Sequence, residues 1–264
     1  MRSLKSTILL SAVFFSAVSL MAQPMQMPNG EISKSSLKFE DYFTKADAKV
    51  VAKPDDQGFI RRWTLLDPIS KPNRSNTVFT DSYLREVFAK EYFPNQLTIL
   101  PKDGQKMKVT VEKQPPVNLQ AGRPMMPPPD QKPIFEEETL QWYFLDSKLY
   151  NVKLFRFATT REKQRYGVIF WAVTVVNCEE DMNVRLAVGS NSASMWWLDG
   201  KEVLLLSGDR RMVVDDCVSS IITLKKGKNI LRGAVINGPG MSDFCVRFLD
   251  ENNQPVKNIT ISNK

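Results

Sequence analysis

The side chains that could do chemistry in this chain are carboxylates, guanidiniums, thiols and tryptophans. Of 264 residues none is histidine, against 29 Asp+Glu, 36 Lys+Arg and three Cys. Without imidazole the chain cannot assemble a Ser-His-Asp or Cys-His set, an HExxH metal helix or a histidine-ligated zinc site. Hydrolysis would then fall to two carboxylates placed on either side of a glycosidic bond, and spacing does not show which acids converge. Ser190, within Gly189-Ser190-Asn191-Ser192, lacks both the histidine base and the following helix that a nucleophile elbow requires. The chemistry therefore leans away from an enzyme.

Trp196 and Trp197 are adjacent, so on a strand their rings point to opposite faces. One must face a core. The other is either covered, as is usual for tryptophan, or exposed, where it could stack on a sugar ring while Asn191, Asp199, Lys201 and Arg210 supply polar contacts. Asp215 and Asp216 are the residues that could ligate a structural calcium, a hard cation that takes oxygen donors. Two adjacent carboxylates without a spaced third favour a solvated mixed-charge loop instead. Arg61 and Arg62 flank Trp63, and strand alternation turns at least one of them outward. No other cofactor is expected. Cys178, Cys217 and Cys245 each lie in or beside an apolar run, which suits small buried core residues. One disulfide plus a free thiol stays open, since pairing cannot be read from sequence.

The elements that must position these residues are mostly strands. Residues 58–66 predict a strand, and residues 80–93 a short amphipathic helix capped by Thr80 and closed by Pro94. Residues 114–133 hold seven of the 16 prolines and predict a Pro/Met-rich loop or linker. Beyond it the chain reads as strand after strand. Residues 140–144 and 149–157 are short candidates. Residues 166–176 form a continuous apolar, β-branched run suited to burial on both faces, and 182–188 alternate cleanly. Asp199-Gly200 predicts a type I′ hairpin. Residues 219–224 and 230–236 predict a strand pair, and 244–249 and 256–261 two more strands. The fold class expected is mainly β: an antiparallel jelly-roll sandwich with a short helix-containing N-terminal extension.

Residues 1–22 open with Arg2 and Lys5, continue with a short uncharged stretch and end in Ala22, as a cleaved signal peptide does. Export to the periplasm or beyond is the expected localisation, with no transmembrane anchor after cleavage. Residues 23–36 predict a disordered leader, 37–113 an α+β portion packing on or completing the sandwich, and 134–264 the sandwich itself. The modest basic excess of an exported chain does not imply nucleic acid. It would suit an acidic glycan or simply solubility.

Four motifs carry a resemblance. They are Leu186-Ala-Val-Gly189-Ser190-Asn191-Ser192, Trp196-Trp197-Leu198-Asp199-Gly200-Lys201, Leu224-Lys-Lys-Gly227-Lys-Asn229 and Phe244-Cys-Val-Arg247-Phe248. In this order they resemble the galactose-binding-domain-like β-sandwich modules found in or beside secreted polysaccharide-degrading enzymes such as β-galactosidases and acetylxylan esterases. Phe59-Ile-Arg-Arg-Trp63-x-Leu-Leu-x-Pro68 resembles the strand that opens many such proteins. Two positions depart from the pattern: Asn191-Ser192 stands where Asp-Asp is usual, and Asp199 where the hairpin has asparagine. The resemblance implies an exported, non-catalytic protein whose partners are a polysaccharide or oligosaccharide and a secreted glycosidase or esterase. The alternatives are an envelope assembly module that holds proteins through the proline-rich loop, and a carboxylate-based glycosidase or histidine-free esterase.

Overall fold

A computed structural model describes residues 38–73, 75–113, 119–120, 123–124 and 132–264. The expected signal peptide, leader and most of the proline-rich stretch lie outside the described residues. A 3-10 turn at Phe39–Asp41 leads into β1 (Phe43–Lys45), followed by β2 (Arg62–Leu66) and β3 (Ile69–Ser70). Helix α1 (Asp81–Ala89) precedes β4 (Lys106–Lys113), the two-residue strands β5 (Leu119–Gln120) and β6 (Arg123–Pro124), and the long β7 (Ile134–Ser147). Helix α2 (Leu154–Thr159) then leads to β8 (Val168–Cys178), β9 (Met182–Ser190), β10 (Ala193–Leu198) and β11 (Lys201–Leu206). The chain ends in β12 (Cys217–Val218), β13 (Ile222–Leu224), β14 (Gly227–Asn237), β15 (Phe244–Leu249) and β16 (Thr260–Ser262).

The fold is a mainly β, antiparallel sandwich. Its larger sheet runs β1-β7-β2-β8-β14-β10-β11, with β4 added on β7 and with β3 and β16 on β8. Its smaller sheet is built on β9, which pairs with β12, β13 and β15. β2 enters the larger sheet between β7 and β8, so the portion before the proline-rich stretch supplies one of its inner strands.

The β-branched and aromatic run of β8 explains its place at the centre. Phe170, Ala172 and Val176 face the smaller sheet, in a core they share with its Leu186, Val188 and Phe248 and with Trp63 and Trp196 of their own sheet. Ile169, Trp171 and Val173 face the other way, onto Leu84, Val87 and Phe88 of α1 and onto Trp197. The larger sheet is therefore covered on both faces, as a continuous apolar strand demands.

Thr80 caps α1 by accepting the Tyr83 N–H at 3.3 Å. The helix ends at Ala89, before Pro94, because the buried amide of Gln96 closes it. Gln96 Nε2 donates to the carbonyls of Phe88 (3.1 Å) and Lys90 (2.7 Å), and its Oε1 accepts the Tyr92 N–H at 2.9 Å.

Three sequence expectations are corrected. Residues 149–157 are not a strand: Leu154, Phe155, Phe157 and Ala158 bury together on α2, a helical rather than a period-two arrangement. Residues 219–224 and 230–236 do not pair with each other, because β13 joins β9 in the smaller sheet while β14 lies between β8 and β10 in the larger. The last strand shrinks to Thr260–Ser262, paired with β8.

Candidate functional site

Both tryptophans are covered. Trp196 is 0% exposed between the sheets, where its ring meets Trp63 at 5.9 Å and Phe244 at 5.3 Å. Trp197 is 4% exposed beneath α1, stacked on Trp171 at 5.6 Å. Neither ring offers a face to a ligand. Asp199 and Gly200 have φ of 48° and 80°, the paired positive values of a type I′ turn. Asp199 spends its carboxylate on the Ile230 N–H at 2.7 Å, and Lys201 starts β11 beside it in the open. Asn191 and Arg210 lie at the opposite end of the β10–β11 hairpin, so the six candidate residues do not form one site.

At that opposite end residues 209–216 form a strap over the outer face of β9 and β15. Asn191 Oδ1 accepts the Met212 N–H at 2.6 Å, and the Ser192 N–H donates to the Arg210 carbonyl at 3.0 Å. Met212 Sδ sits 3.6 Å from Cys245 Sγ. Position 189 must be glycine, since a Cβ there would collide with the Val213 carbonyl. Arg210 donates to the Ser207 carbonyl at 2.8 Å and pairs with Asp216, while Asp215 receives Arg247 Nε at 3.0 Å. Arginines thus occupy both candidate calcium ligands, and among the described residues no group of three or more His, Cys, Asp or Glu is placed to hold a metal. Burial pushes the Cys245 thiol up to about 11, and it raises Cys178 and Cys217 too, so none is an activated nucleophile.

The polar residues that do gather are at the same end, where the turn after β14 meets α2. Asp243 is 3% exposed; its Oδ2 accepts Lys153 Nζ at 2.7 Å and its Oδ1 has no partner among the described residues. Its carbonyl takes the Asn191 N–H at 2.9 Å, and the Ser242 carbonyl takes the Phe155 N–H of α2 at 2.9 Å. Burial pushes the Asp243 carboxyl upward, against the opposing pull of Lys153 and Arg156. Asn237 donates to the carbonyls of Arg165 (3.2 Å) and Gly240 (3.1 Å), leaving its own Oδ1 unmet. Ser192 Oγ and Ser242 Oγ are likewise buried without partners among the described residues. Asn76 ties the turn to the strap, accepting from Gly238 N–H at 3.0 Å and donating to Asp209 at 2.8 Å.

Buried polar atoms are nearly always satisfied in folded proteins, whereas four side-chain oxygens at this end of the sandwich lack a partner among the described residues. Two open depressions that share Ser207 and Gly208 lie at the same end; their walls hold none of these four residues, and Asp209 of the second is joined to the turn through Asn76. One, of about 710 Å³, is walled by Thr77, Thr80 and Arg85, and the other, of about 380 Å³, by Arg210 and Arg211. This arrangement can bind polar groups. Of the carboxylates in the walls of the depressions, Asp209 and Asp216 are engaged by Asn76 and Arg210, while Asp81 lies exposed 4.0 Å from Arg85. Asn237, Ser242, Asp243 and Lys153 went unnoticed in the sequence. The signal that could have found them is the Asn237-Gly-Pro-Gly turn between two strands.

No family model matches the chain, and no curated protein matches it. Among solved structures the chain is similar to a PA14 sugar-binding domain from an RTX adhesin, at 6% identity and TM-score 0.40, covering 76% of this chain and 96% of that one. It is also similar to the PA14 domain of the antifreeze protein MpAFP, at 8% identity and TM-score 0.35, covering 83% and 96%. A β-glucosidase from Kluyveromyces marxianus matches at 16% identity and TM-score 0.27, over 50% of this chain and 15% of that one.

Proposed function

We propose that this is a non-catalytic carbohydrate-binding or accessory protein, exported through a cleaved signal peptide and supporting polysaccharide binding or breakdown outside the cytoplasm. The observation that carries the reading is the set of oxygens of Ser192, Asn237, Ser242 and Asp243, buried without partners among the described residues at the sandwich end that also carries two open depressions. Sugars are recognised by a few fixed polar groups that would otherwise stay unpaired, set next to an apolar surface. Tyr166 supplies such a surface nearby at 45% exposure, a role the buried Trp196 and Trp197 cannot take. A glycan array probed with the mature chain tests the proposal. Binding to at least one polysaccharide class is expected, and silence across plant, host and bacterial glycans would overturn it.

A second reading has one observation in its favour. β4 and β7 pair along Lys106–Lys113 and lead to the proline-rich stretch, and Ile134 and Phe135 stand there 43% and 53% exposed. An assembly role would use that ribbon to hold a protein partner. Removing residues 114–133 would then abolish co-purification of the partner, and unchanged co-purification would remove this reading.

A further inference from the structure

The stretch from Lys153 to Arg165 carries Lys153, Arg156, Arg161, Lys163 and Arg165 against one acid, Glu162. Three of the five bases are matched within the fold. Lys153 pairs with Asp243 at 2.7 Å, and Arg161 and Lys163 converge on the buried Asp67 at 3.5 and 3.4 Å. Arg156 and Arg165 form no ion pair among the described residues. Both guanidiniums instead lie against one ring, that of Phe155, at 5.9 and 5.6 Å. Arg156 also lies 5.6 Å from Tyr42, and Arg165 lies 5.3 Å from Tyr166 with its Nε buried and without a hydrogen-bond partner.

Two like charges gathered on one ring repel each other, and the buried Asp243 carboxyl that Arg156 acts on is already paired with Lys153, so a positive potential remains that an anion would relieve. Guanidinium is the side chain whose planar fork matches carboxylate or sulfate oxygens, and aromatic packing holds these two forks with less freedom to lose on binding. Beside them Tyr166 keeps an exposed ring, 5.6 Å from Phe155. Arg165 is joined through its carbonyl to Asn237, one of the residues with an unmet oxygen.

We propose that the ligand is an acidic polysaccharide, whose carboxylate or sulfate groups seat on Arg156 and Arg165 while a sugar ring lies against Tyr166. The proposal rests on the carbohydrate-binding reading above and names the chemical class of its ligand.

The mature chain is titrated by affinity electrophoresis and calorimetry against polygalacturonate, dextran sulfate and neutral dextran. Binding to an acidic polymer is expected, weakening as salt rises from about 50 to about 300 mM. Of the two acidic arms, the tighter tells carboxylate from sulfate. Arg156→Gln with Arg165→Gln should weaken binding about tenfold or more, the effect of losing charge-assisted hydrogen bonds. Lys226→Gln with Lys228→Gln removes the same charge from a distant exposed turn and should change affinity less than about twofold. The single Arg156→Gln variant reports if the double variant does not fold, and it should weaken binding severalfold. Binding to neutral glycans alone would overturn the acidic ligand and leave the carbohydrate reading standing. Binding to none would overturn both, and equal losses in the two double variants would overturn the assignment to Arg156 and Arg165.

Discussion

Lys153 Nζ donates a 2.7 Å hydrogen bond to Asp243 Oδ2, while Oδ1 of the same buried carboxylate meets no donor. A half-satisfied buried acid holds its proton more tightly than a free one, and burial raises the Asp243 pKa above the usual 3.8. The native state then binds more protons than the unfolded chain just above that value, so stability falls as pH rises through the window between 3.8 and the raised value. In Asp243→Asn that contribution disappears. Melting temperatures of the two proteins compared from acid to neutral pH should show the parent losing ground to the variant as pH rises. Lys153→Ala should cost about 3 kcal/mol near neutrality by leaving the carboxylate unpaired.

Trp196→Ala and Trp197→Ala should each destabilise by about 3–5 kcal/mol in urea denaturation, because each ring fills a different core. If either variant kept parental stability while losing ligand binding, that tryptophan would have to be exposed on the protein surface.

The strap over β9 and β15 gives an order of thiol reactivity. Cys178 and Cys245 are buried and Cys217 is partly exposed, so alkylation followed by mass spectrometry should label Cys217 first. Gly189→Ala should lift the strap off the sheet, lower stability by about 2 kcal/mol and make Cys245 accessible. A Cys245 that stayed protected in that variant would mean that something other than the strap covers it.

Arg232 is buried without a carboxylate partner among the described residues. One nitrogen donates to the Ile99 carbonyl, while Nε and Nη1 have no partner. Burial pulls its pKa down to about 10, so the native state keeps a desolvation penalty until pH rises past that value. Arg232→Met removes the charge and keeps most of the volume, and should be more stable than Arg232→Ala by about 1–3 kcal/mol. Equal stabilities would show that packing around position 232 counts for little.

What was legible in the sequence is local. β8 could be read from its β-branched run, and the Asp199-Gly200 hairpin from the two positive φ values that such a turn needs. α2 could not, since Val152, Leu154 and Arg156 alternate as a strand would until tertiary packing buries Phe155 and Phe157 on one short helix. Nor could the sheet membership of β13 and β14, because short apolar runs on either side of a lysine turn say nothing about which sheet each joins. The candidate site was half legible. Asn191 and Arg210 do lie together at the loop end, but Asp199 and Lys201 lie a strand's length away. Asp243, Ser242 and Asn237 gain their meaning only from burial, which has no local signature.

Migration of the mature chain through native gels cast with and without polysaccharide separates a sugar-binding sandwich from a purely structural one. Retardation is expected in at least one polysaccharide gel, diminished by Arg165→Gln, whose carbonyl is tied to Asn237 at the hydrogen-bonding end, and unchanged by Asp199→Asn at the far hairpin. Equal mobility in every gel, or retardation abolished by Asp199→Asn alone, would contradict carbohydrate binding at that end.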